Sequence, residues 1–279
     1  MARFSRLRSG NKPRRLLHGI HPVPTLVTLG NLLCGCLAIV RVGEGGPDNY
    51  VQAAQLILLA MVFDSLDGMM ARLARVAGNF GAQLDSLSDL VTFGVAPAYV
   101  VMSVGRQGAP LVSGELLLIL AGFYVSCTAI RLARFNVETT PDASSHQSFF
   151  GLPSPAAAGV IATSILVWGR YRADDPDAYT IAFQRILPFL MLALGLLMIS
   201  RIRYEHMVSR FLRRTQPFVR LLEVLLMVVC LALVEDRWVA IWVGFTYYAI
   251  RGPFQFAKNR LLHPEPETTA LPDPEEELF

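Results

Sequence analysis

Long apolar stretches alternate with short polar segments along most of the chain. Eight of these stretches suit a lipid bilayer, whose hydrocarbon core is crossed by roughly 20 helical residues. They cover residues 25–41, 50–73, 82–103, 114–134, 155–170, 181–200, 218–234 and 238–254. Helices satisfy their own backbone hydrogen bonds in lipid, so the pattern predicts an all-α, polytopic transmembrane bundle of about eight spans.

Composition supports a membrane protein. Of the 279 residues, 53% are hydrophobic, whereas about 45–50% is usual in soluble domains. Residues 1–20 are basic and precede a long apolar series, so we interpret them as a cytoplasmic segment and expect no cleaved signal peptide. Residues 256–279 form an acidic, proline-rich tail that we expect to be disordered. The transmembrane domain is therefore predicted to comprise residues 21–255.

The distribution of basic residues predicts the orientation. If the N-terminus is cytoplasmic and eight spans alternate, six of the 25 lysines and arginines fall outside and the other nineteen fall inside. This bias follows the positive-inside rule and predicts that both termini face the cytoplasm, with the protein integral to the cell (inner) membrane. The net charge of +3 suits an anionic lipid surface, and no nucleic-acid-binding motif occurs, so no nucleic-acid partner is predicted.

Four aspartates lie within two of the predicted spans. At 100° per residue, Asp64 and Asp67 share an arc of about 140° with Gly68, Ala71 and Arg72 on the second span.

The third span repeats the pattern. There Asp85 and Asp89 share an arc of about 100° with Gly81, Ser88 and Thr92. Each helix is thus predicted to have one polar stripe of small and acidic residues.

A short link joins the two stripes. It contains Gly78 and Asn79, a turn signal, so the two helices are expected to be antiparallel neighbours. This link lies on the cytoplasmic side in the predicted orientation. The aspartates would then face one another in the cytoplasmic third of the bilayer.

Four carboxylates at this depth need charge compensation, because a buried unpaired anion costs several kcal/mol. Protonation, pairing with Arg72 and Arg75, or a divalent cation would provide it. Carboxylate oxygens favour a hard ion, which indicates Mg²⁺ or Mn²⁺ and suits phosphoryl chemistry. The structural alternative is a salt-bridged helix pair without a ligand.

The aspartates belong to a longer motif. The pattern D64-x2-D67-G68-x2-A71-R72-x8-G81-x3-D85-x3-D89 resembles the signature of the CDP-alcohol phosphatidyltransferases at every fixed position. The resemblance implies a helical core of about six spans, here residues 20 to about 200, and a homodimer.

The resemblance also implies roles for the motif residues. Asp64, Asp67 and Asp85 would be metal ligands, and Asp89 would be both a ligand and the general base. Gly68, Arg72 and Gly81 would bind the phosphates of the cytidine nucleotide. These roles agree with the residue types, because glycine permits close approach to the backbone and arginine suits phosphate.

The first span is similar to a motif that opens several members of the family, P-N-x2-T-x2-N-x3-G. Pro24, Thr28, Asn31 and Gly35 match it, whereas Thr25 replaces the usual asparagine. Thr28 and Asn31 would then contact the nucleotide. The alternative is that they are polar contacts between packed helices.

Residues 84–98 and 131–159 resemble the membrane-embedded phosphatidylserine synthases within this family. Arg131 and Arg134, beside Asn136, would hold the carboxylate of serine or the lipid phosphate. Ordinary positive-inside charge is the alternative for these arginines. We interpret Ser154, between two prolines, as structural.

These resemblances imply the activity. The protein would transfer the phosphatidyl group of CDP-diacylglycerol to the hydroxyl of L-serine, at an active site facing the cytoplasmic leaflet. Glycerol 3-phosphate, inositol phosphate or choline are alternative acceptors. A cation- or proton-coupled transporter is the alternative from another class, although the aspartate pattern occurs once and no internal repeat accompanies it.

Overall fold

A computed structural model describes residues 22–73, 79–107, 112–138, 151–172, 178–202, 204 and 236–262. In this part of the chain all regular structure is helical. The helices are α1 (Pro22–Glu44), α2 (Pro47–Leu73), α3 (Asn79–Asp89), a π-helix (Leu90–Val95), α4 (Ala96–Gly105), α5 (Gly114–Glu138), α6 (Ser154–Tyr171), α7 (Ala178–Ile199) and α8 (Arg237–Leu262). The predicted all-α fold class is confirmed.

Seven of the predicted spans correspond to helices, and the eighth, 218–234, lies outside the described residues. Five described helical stretches are long and apolar enough to cross a membrane. They are Thr25–Glu44, Pro47–Met69, Phe80–Gly105, Gly114–Val137 and Tyr179–Ile199. The chain is therefore an integral membrane protein. Helix α8 continues to Leu262, past the predicted domain boundary at residue 255.

Helix α6 lies in the interior of the bundle and packs against α2, α7 and α8. Its sequence is rich in alanine, glycine, serine and threonine, which allow close packing between membrane helices. The side chains of Ile161 and Ile165 are fully buried, and Trp168 is 1% exposed. Small residues therefore explain how α6 packs closely in the core of the bundle.

The third span differs from the uniform α-helix that the spacing predicts. Its turn between Leu90 and Val95 is π-helical, and the Ala96 N–H donates to the carbonyl of Val91, five residues earlier. Pro97 explains part of this departure, since it has no N–H to donate to the Phe93 carbonyl. The Tyr124 hydroxyl of α5 donates to that carbonyl instead, at 3.1 Å. The α-helical geometry that carries the aspartates ends at Asp89, before the wider turn.

The π-helix packs closely against α1. The Thr92 hydroxyl donates to the Asn31 carbonyl at 3.2 Å. A Cβ atom on Gly35 would lie 2.5 Å from the Thr92 hydroxyl oxygen and 3.0 Å from the Thr92 Cα. Only glycine therefore allows this approach, which places the polar face of α1 beside the third span.

We expect Gly35→Ala to lower the free energy of unfolding by about 1–3 kcal/mol, because the added methyl group must displace the Thr92 backbone. The thermal unfolding midpoint in detergent measures this effect. Gly122→Ala is the matched control, since a Cβ there meets nothing within 4 Å. Equal midpoints for the two variants would contradict the proposed close packing.

Candidate active site

Three of the predicted aspartates come together between α2 and α3. Asp64 and Asp67 lie on α2, and Asp85 lies on α3. One carboxylate oxygen from each residue lies within 4.8 Å of the other two. Asp67 is buried, with 4% of its surface exposed, and the other two are partly buried. The stripes predicted from the spacing therefore face one another, and we call these residues the three-aspartate group.

The three-aspartate group has unused acceptor atoms. Among the described residues, Oδ2 of Asp67 and Oδ1 of Asp85 are buried without a hydrogen-bond partner. Both ion pairs between described side chains lie elsewhere, joining Arg41 to Glu44 and Arg172 to Asp48. Arg72 and Arg75, the partners in the salt-bridged alternative, have side chains outside the described part of the chain, so that alternative stays untested. Converging carboxylate oxygens, two of them without a hydrogen-bond partner, fit a hard divalent cation such as Mg²⁺ or Mn²⁺.

Asp89 occupies a different position from this group. It is 7% exposed, and its Oδ1 accepts a hydrogen bond from the Asn31 side-chain amide at 3.0 Å. It also lies within hydrogen-bonding reach of Asp64. Asp89 is therefore adjacent to the three-aspartate group but held by a side chain of α1.

The first helix contributes both polar residues that the sequence indicates. Asn31 is fully buried and contacts Asp89, while Thr28 lies within hydrogen-bonding reach of Asp67. The side-chain oxygen of Asn31 has no partner among the described residues. Thr28 and Asn31 therefore lie directly beside the aspartates, and their predicted contact with the nucleotide stays a prediction.

Two glycines leave open space at the same site. A Cβ on Gly68 or on Gly81 would meet nothing within 4 Å. Internal packing therefore does not explain glycine at either position, and both leave the backbone accessible to a ligand. The side chain of Arg72, the third predicted phosphate contact, lies outside the described part of the chain.

Helix α5 places the positively charged side chain of Arg131 near the aspartates. The charge of Arg131 interacts with those of Asp89 and Asp64. Its Nη1 donates to the Ser154 hydroxyl at 2.7 Å. Arg134, one turn further on, is half-buried. The end of α5 therefore presents a guanidinium group beside a carboxylate cluster.

Asn136 contacts α3 rather than the aspartates themselves. Its side-chain amide donates to the Ser86 hydroxyl at 2.9 Å, next to Asp85 in sequence. The Ser86 hydroxyl also contacts the Ala82 carbonyl of its own helix at 3.0 Å. Asn136 therefore links α5 to α3 at the edge of the site.

Two further residues reach this site that the sequence did not indicate as functional. Ser154, interpreted as structural, accepts the hydrogen bond from Arg131. Tyr248 of α8 lies close enough to Arg131 for an electrostatic interaction between the two side chains. The sequence could have indicated Ser154 through its place in residues 131–159, which resemble the phosphatidylserine synthases. No motif in the sequence indicates Tyr248.

The family model of the CDP-alcohol phosphatidyltransferases matches residues 21–245. The chain belongs to the CDP-alcohol phosphatidyltransferase family. The matched range includes all four aspartates, both glycines and Arg131. It ends three residues before Tyr248, in the middle of α8.

Individual members of the CDP-alcohol phosphatidyltransferase family resemble the chain over most of its length. The CDP-diacylglycerol–serine O-phosphatidyltransferase of Helicobacter pylori is 32% identical over 195 residues, which is 68% of this chain and 74% of the relative. The enzyme of that name from Mycobacterium leprae is 30% identical over 263 residues, covering 92% and 82% respectively. The archaetidylserine synthase of Methanothermobacter thermautotrophicus is 37% identical over 187 residues, covering 66% and 70%.

Proposed function

We propose that the protein transfers the phosphatidyl group of CDP-diacylglycerol to the hydroxyl of L-serine, releasing CMP and forming phosphatidylserine. Relatives from bacteria and archaea that carry the names of serine-dependent synthases support this acceptor. The observation that carries the proposal is the three-aspartate group, in which ligand oxygens from two helices lie within 4.8 Å of one another.

In this proposal Asp64, Asp67 and Asp85 hold a divalent cation, Mg²⁺ or Mn²⁺, with Asp89 as a further ligand. The unpartnered oxygens of Asp67 and Asp85 support this assignment. When bound, the cation offsets negative charge on the pyrophosphate and on the departing CMP. Gly68, Arg72 and Gly81 bind the nucleotide phosphates, and Thr28 and Asn31 border the nucleotide.

Asp89 is the proposed general base. The serine hydroxyl oxygen bonds to the phosphorus that carries the diacylglycerol oxygen, and the bond from that phosphorus to CMP breaks. The hydroxyl proton passes to the carboxylate of Asp89. The hydrogen bond from Asn31 fixes one oxygen of this carboxylate, so the base has a defined orientation.

Arg131, Arg134 and Asn136 are the proposed contacts of the acceptor or of the lipid phosphate. Arg131 has the strongest support, because it lies beside Asp89 and Asp64. Its guanidinium group carries five donors, and the bond to Ser154 uses one of them. The remaining donors suit the carboxylate of serine, which an arginine binds through two parallel hydrogen bonds.

Release of CMP tests the reaction class. Purified protein supplied with CDP-diacylglycerol and Mg²⁺ is expected to release CMP only when serine is added, with one phosphatidylserine formed per CMP. A transporter would release none. Equal release with and without serine would show hydrolysis and contradict the proposed transfer.

We further propose that residues 1–20 and 256–279 lie in the cytoplasm on either side of a catalytic domain, residues 21–255, whose active site faces the cytoplasmic leaflet. The asymmetry of basic residues supports this orientation. In a variant without native cysteines, Asn79→Cys is expected to react with an impermeant maleimide only after the cells are opened. Labelling of intact cells would overturn the orientation.

A homodimer is proposed from the family resemblance. Light scattering of the detergent-purified protein, corrected for bound detergent, is expected to give twice the 30.8 kDa chain mass. The mass of a single chain would overturn this proposal.

A further inference from the structure

Arg131 is partly buried in the bundle, and neighbouring residues fix the orientation of its side chain. Its Nη1 donates to the hydroxyl of Ser154 at 2.7 Å, and Ser154 is fully buried. The guanidinium group also lies near Asp89 and Asp64. A hydrogen bond to a buried hydroxyl restricts the rotamers of this long side chain, which would otherwise be mobile.

The segment that carries Ser154 is itself fixed to α7. The N–H of Gly151 donates to the Ile202 carbonyl at 2.9 Å, and the N–H of Leu152 donates to the Leu197 carbonyl at 3.0 Å. Gly151 has a φ of +86°, and a Cβ there would lie 2.1 Å from the Met198 carbonyl oxygen. The backbone just before α6 therefore has one tightly held conformation, and Ser154 has a defined position.

Helix α8 places a second residue near Arg131. Tyr248 interacts electrostatically with both Arg131 and Arg251. Its ring packs against that of Tyr204, with centroids 5.9 Å apart. The Tyr204 hydroxyl in turn donates to the Ala249 carbonyl at 3.0 Å. Tyr248 is therefore held on the side of α8 that faces the site.

Helix α8 is also fixed to α6 by two side-chain contacts. The Trp242 indole N–H donates to the Ser164 hydroxyl at 2.8 Å. The ring of Phe245 packs against Gly159, where an added Cβ would lie 2.4 Å from a ring carbon. Ser154 and Tyr248 therefore belong to two helices that are packed together. Ser154 accepts a hydrogen bond from the Arg131 guanidinium group, and Tyr248 lies near it.

We propose that Ser154 and Tyr248 are positioning residues that hold the Arg131 guanidinium group toward the carboxylate of the acceptor. This inference rests on the proposed function, in which serine is the acceptor. Two parallel hydrogen bonds to a carboxylate require the planar guanidinium group in one orientation. The hydrogen bond to Ser154 of α6, with Tyr248 of α8 nearby, supplies that orientation before the acceptor binds. Tyr248 lies on the last described helix, α8, just after the range that the family model matches.

The inference predicts a selective effect on the acceptor. Ser154→Ala is expected to raise the KM for serine about tenfold, the lower end of the range for a hydrogen bond to a charged group. Tyr248→Phe is expected to raise the KM for serine as well, by a smaller factor. The kcat and the KM for CDP-diacylglycerol should stay within about twofold of wild type, since both residues would act only through Arg131.

The matched control is Thr163→Val. Thr163 is also fully buried on α6, but its hydroxyl donates to the carbonyls of Gly159 and Val160 in its own helix. This variant is expected to leave the KM for serine within twofold of wild type. Thermal midpoints of all variants show which of them remain folded. If Ser154→Ala does not fold, Tyr248→Phe decides the outcome, because it removes one hydroxyl group and keeps the ring.

A double-mutant cycle separates positioning from general packing. In an Arg131→Met background, where only weak turnover is expected, Ser154→Ala and Tyr248→Phe should change the KM for serine by less than twofold. Additive losses in that background, or a rise in the KM for CDP-diacylglycerol instead of serine, would overturn the inference. If the wild-type protein does not use serine, the proposed function is overturned. The assay of wild type comes first, so this failure is distinguished from failure of the positioning inference.

Discussion

Asp89→Asn is expected to reduce turnover by about 10²–10⁴-fold, the usual contribution of a general base, while binding of CDP-diacylglycerol persists. Asparagine keeps the Oδ1 atom that accepts the hydrogen bond from Asn31. The substitution therefore preserves the local packing and removes the proton acceptor. Turnover and nucleotide-lipid affinity are measured separately, each across a titration of Mg²⁺.

Asp85→Asn provides the contrast to Asp89→Asn. Asp85 belongs to the three-aspartate group and has a buried oxygen without a protein partner. Its substitution should weaken metal binding, so that higher Mg²⁺ restores part of the lost activity. Glu115→Gln is the control, because Glu115 is an exposed carboxylate in the first turn of α5. It should behave like wild type.

The titration decides between two roles for Asp89. If turnover of Asp89→Asn stays low at all Mg²⁺ concentrations, its carboxylate is the base. If high Mg²⁺ restores nearly normal turnover, Asp89 acts through ligation alone. The base must then be sought elsewhere, in water or in a phosphate oxygen of the substrate.

Removing divalent cations with EDTA is expected to abolish transfer, with a loss of at least about 10³-fold. Several carboxylates would otherwise repel the pyrophosphate of CDP-diacylglycerol at the place where it must bind. Activity should return when Mg²⁺ or Mn²⁺ is added in excess of the chelator.

Thermal unfolding tests the same cation site without relying on turnover. A cation that binds the folded state raises the unfolding midpoint as its concentration increases. This shift should be present in wild type and absent in a variant carrying both Asp67→Asn and Asp85→Asn. Full turnover in metal-free buffer, or an equal shift in that variant, would contradict the proposed site.

Local periodicity predicted much of the fold and of the site. Seven predicted apolar stretches correspond to helical regions at nearly the predicted positions. The three-residue spacing of Asp64 and Asp67 and the four-residue spacing of Asp85 and Asp89 predicted two polar stripes, and the structure brings Asp64, Asp67 and Asp85 together. Both results depend on interactions within a helix or across one short link, which a single sequence reveals directly.

The features that could not be predicted depend on distant contacts. The π-helical turn requires the Tyr124 hydroxyl of α5 at the Phe93 carbonyl, a partner 31 residues away. The contact from Asn31 to Asp89 joins residues 58 apart, on two helices whose approach depends on Gly35. Tyr248 lies near Arg131 because α8 packs on α6. Such pairs become visible only when the helices are assembled.

The most direct test of the proposed activity is an acceptor panel. Purified protein is incubated with CDP-diacylglycerol and Mg²⁺, and labelled serine, glycerol 3-phosphate, inositol phosphate and choline are offered separately and in competition. The lipid products are separated by thin-layer chromatography. We predict phosphatidylserine as the labelled product, with little label entering lipid from the other acceptors. A labelled lipid from another acceptor, with none from serine, would contradict the proposed function and leave only the family chemistry.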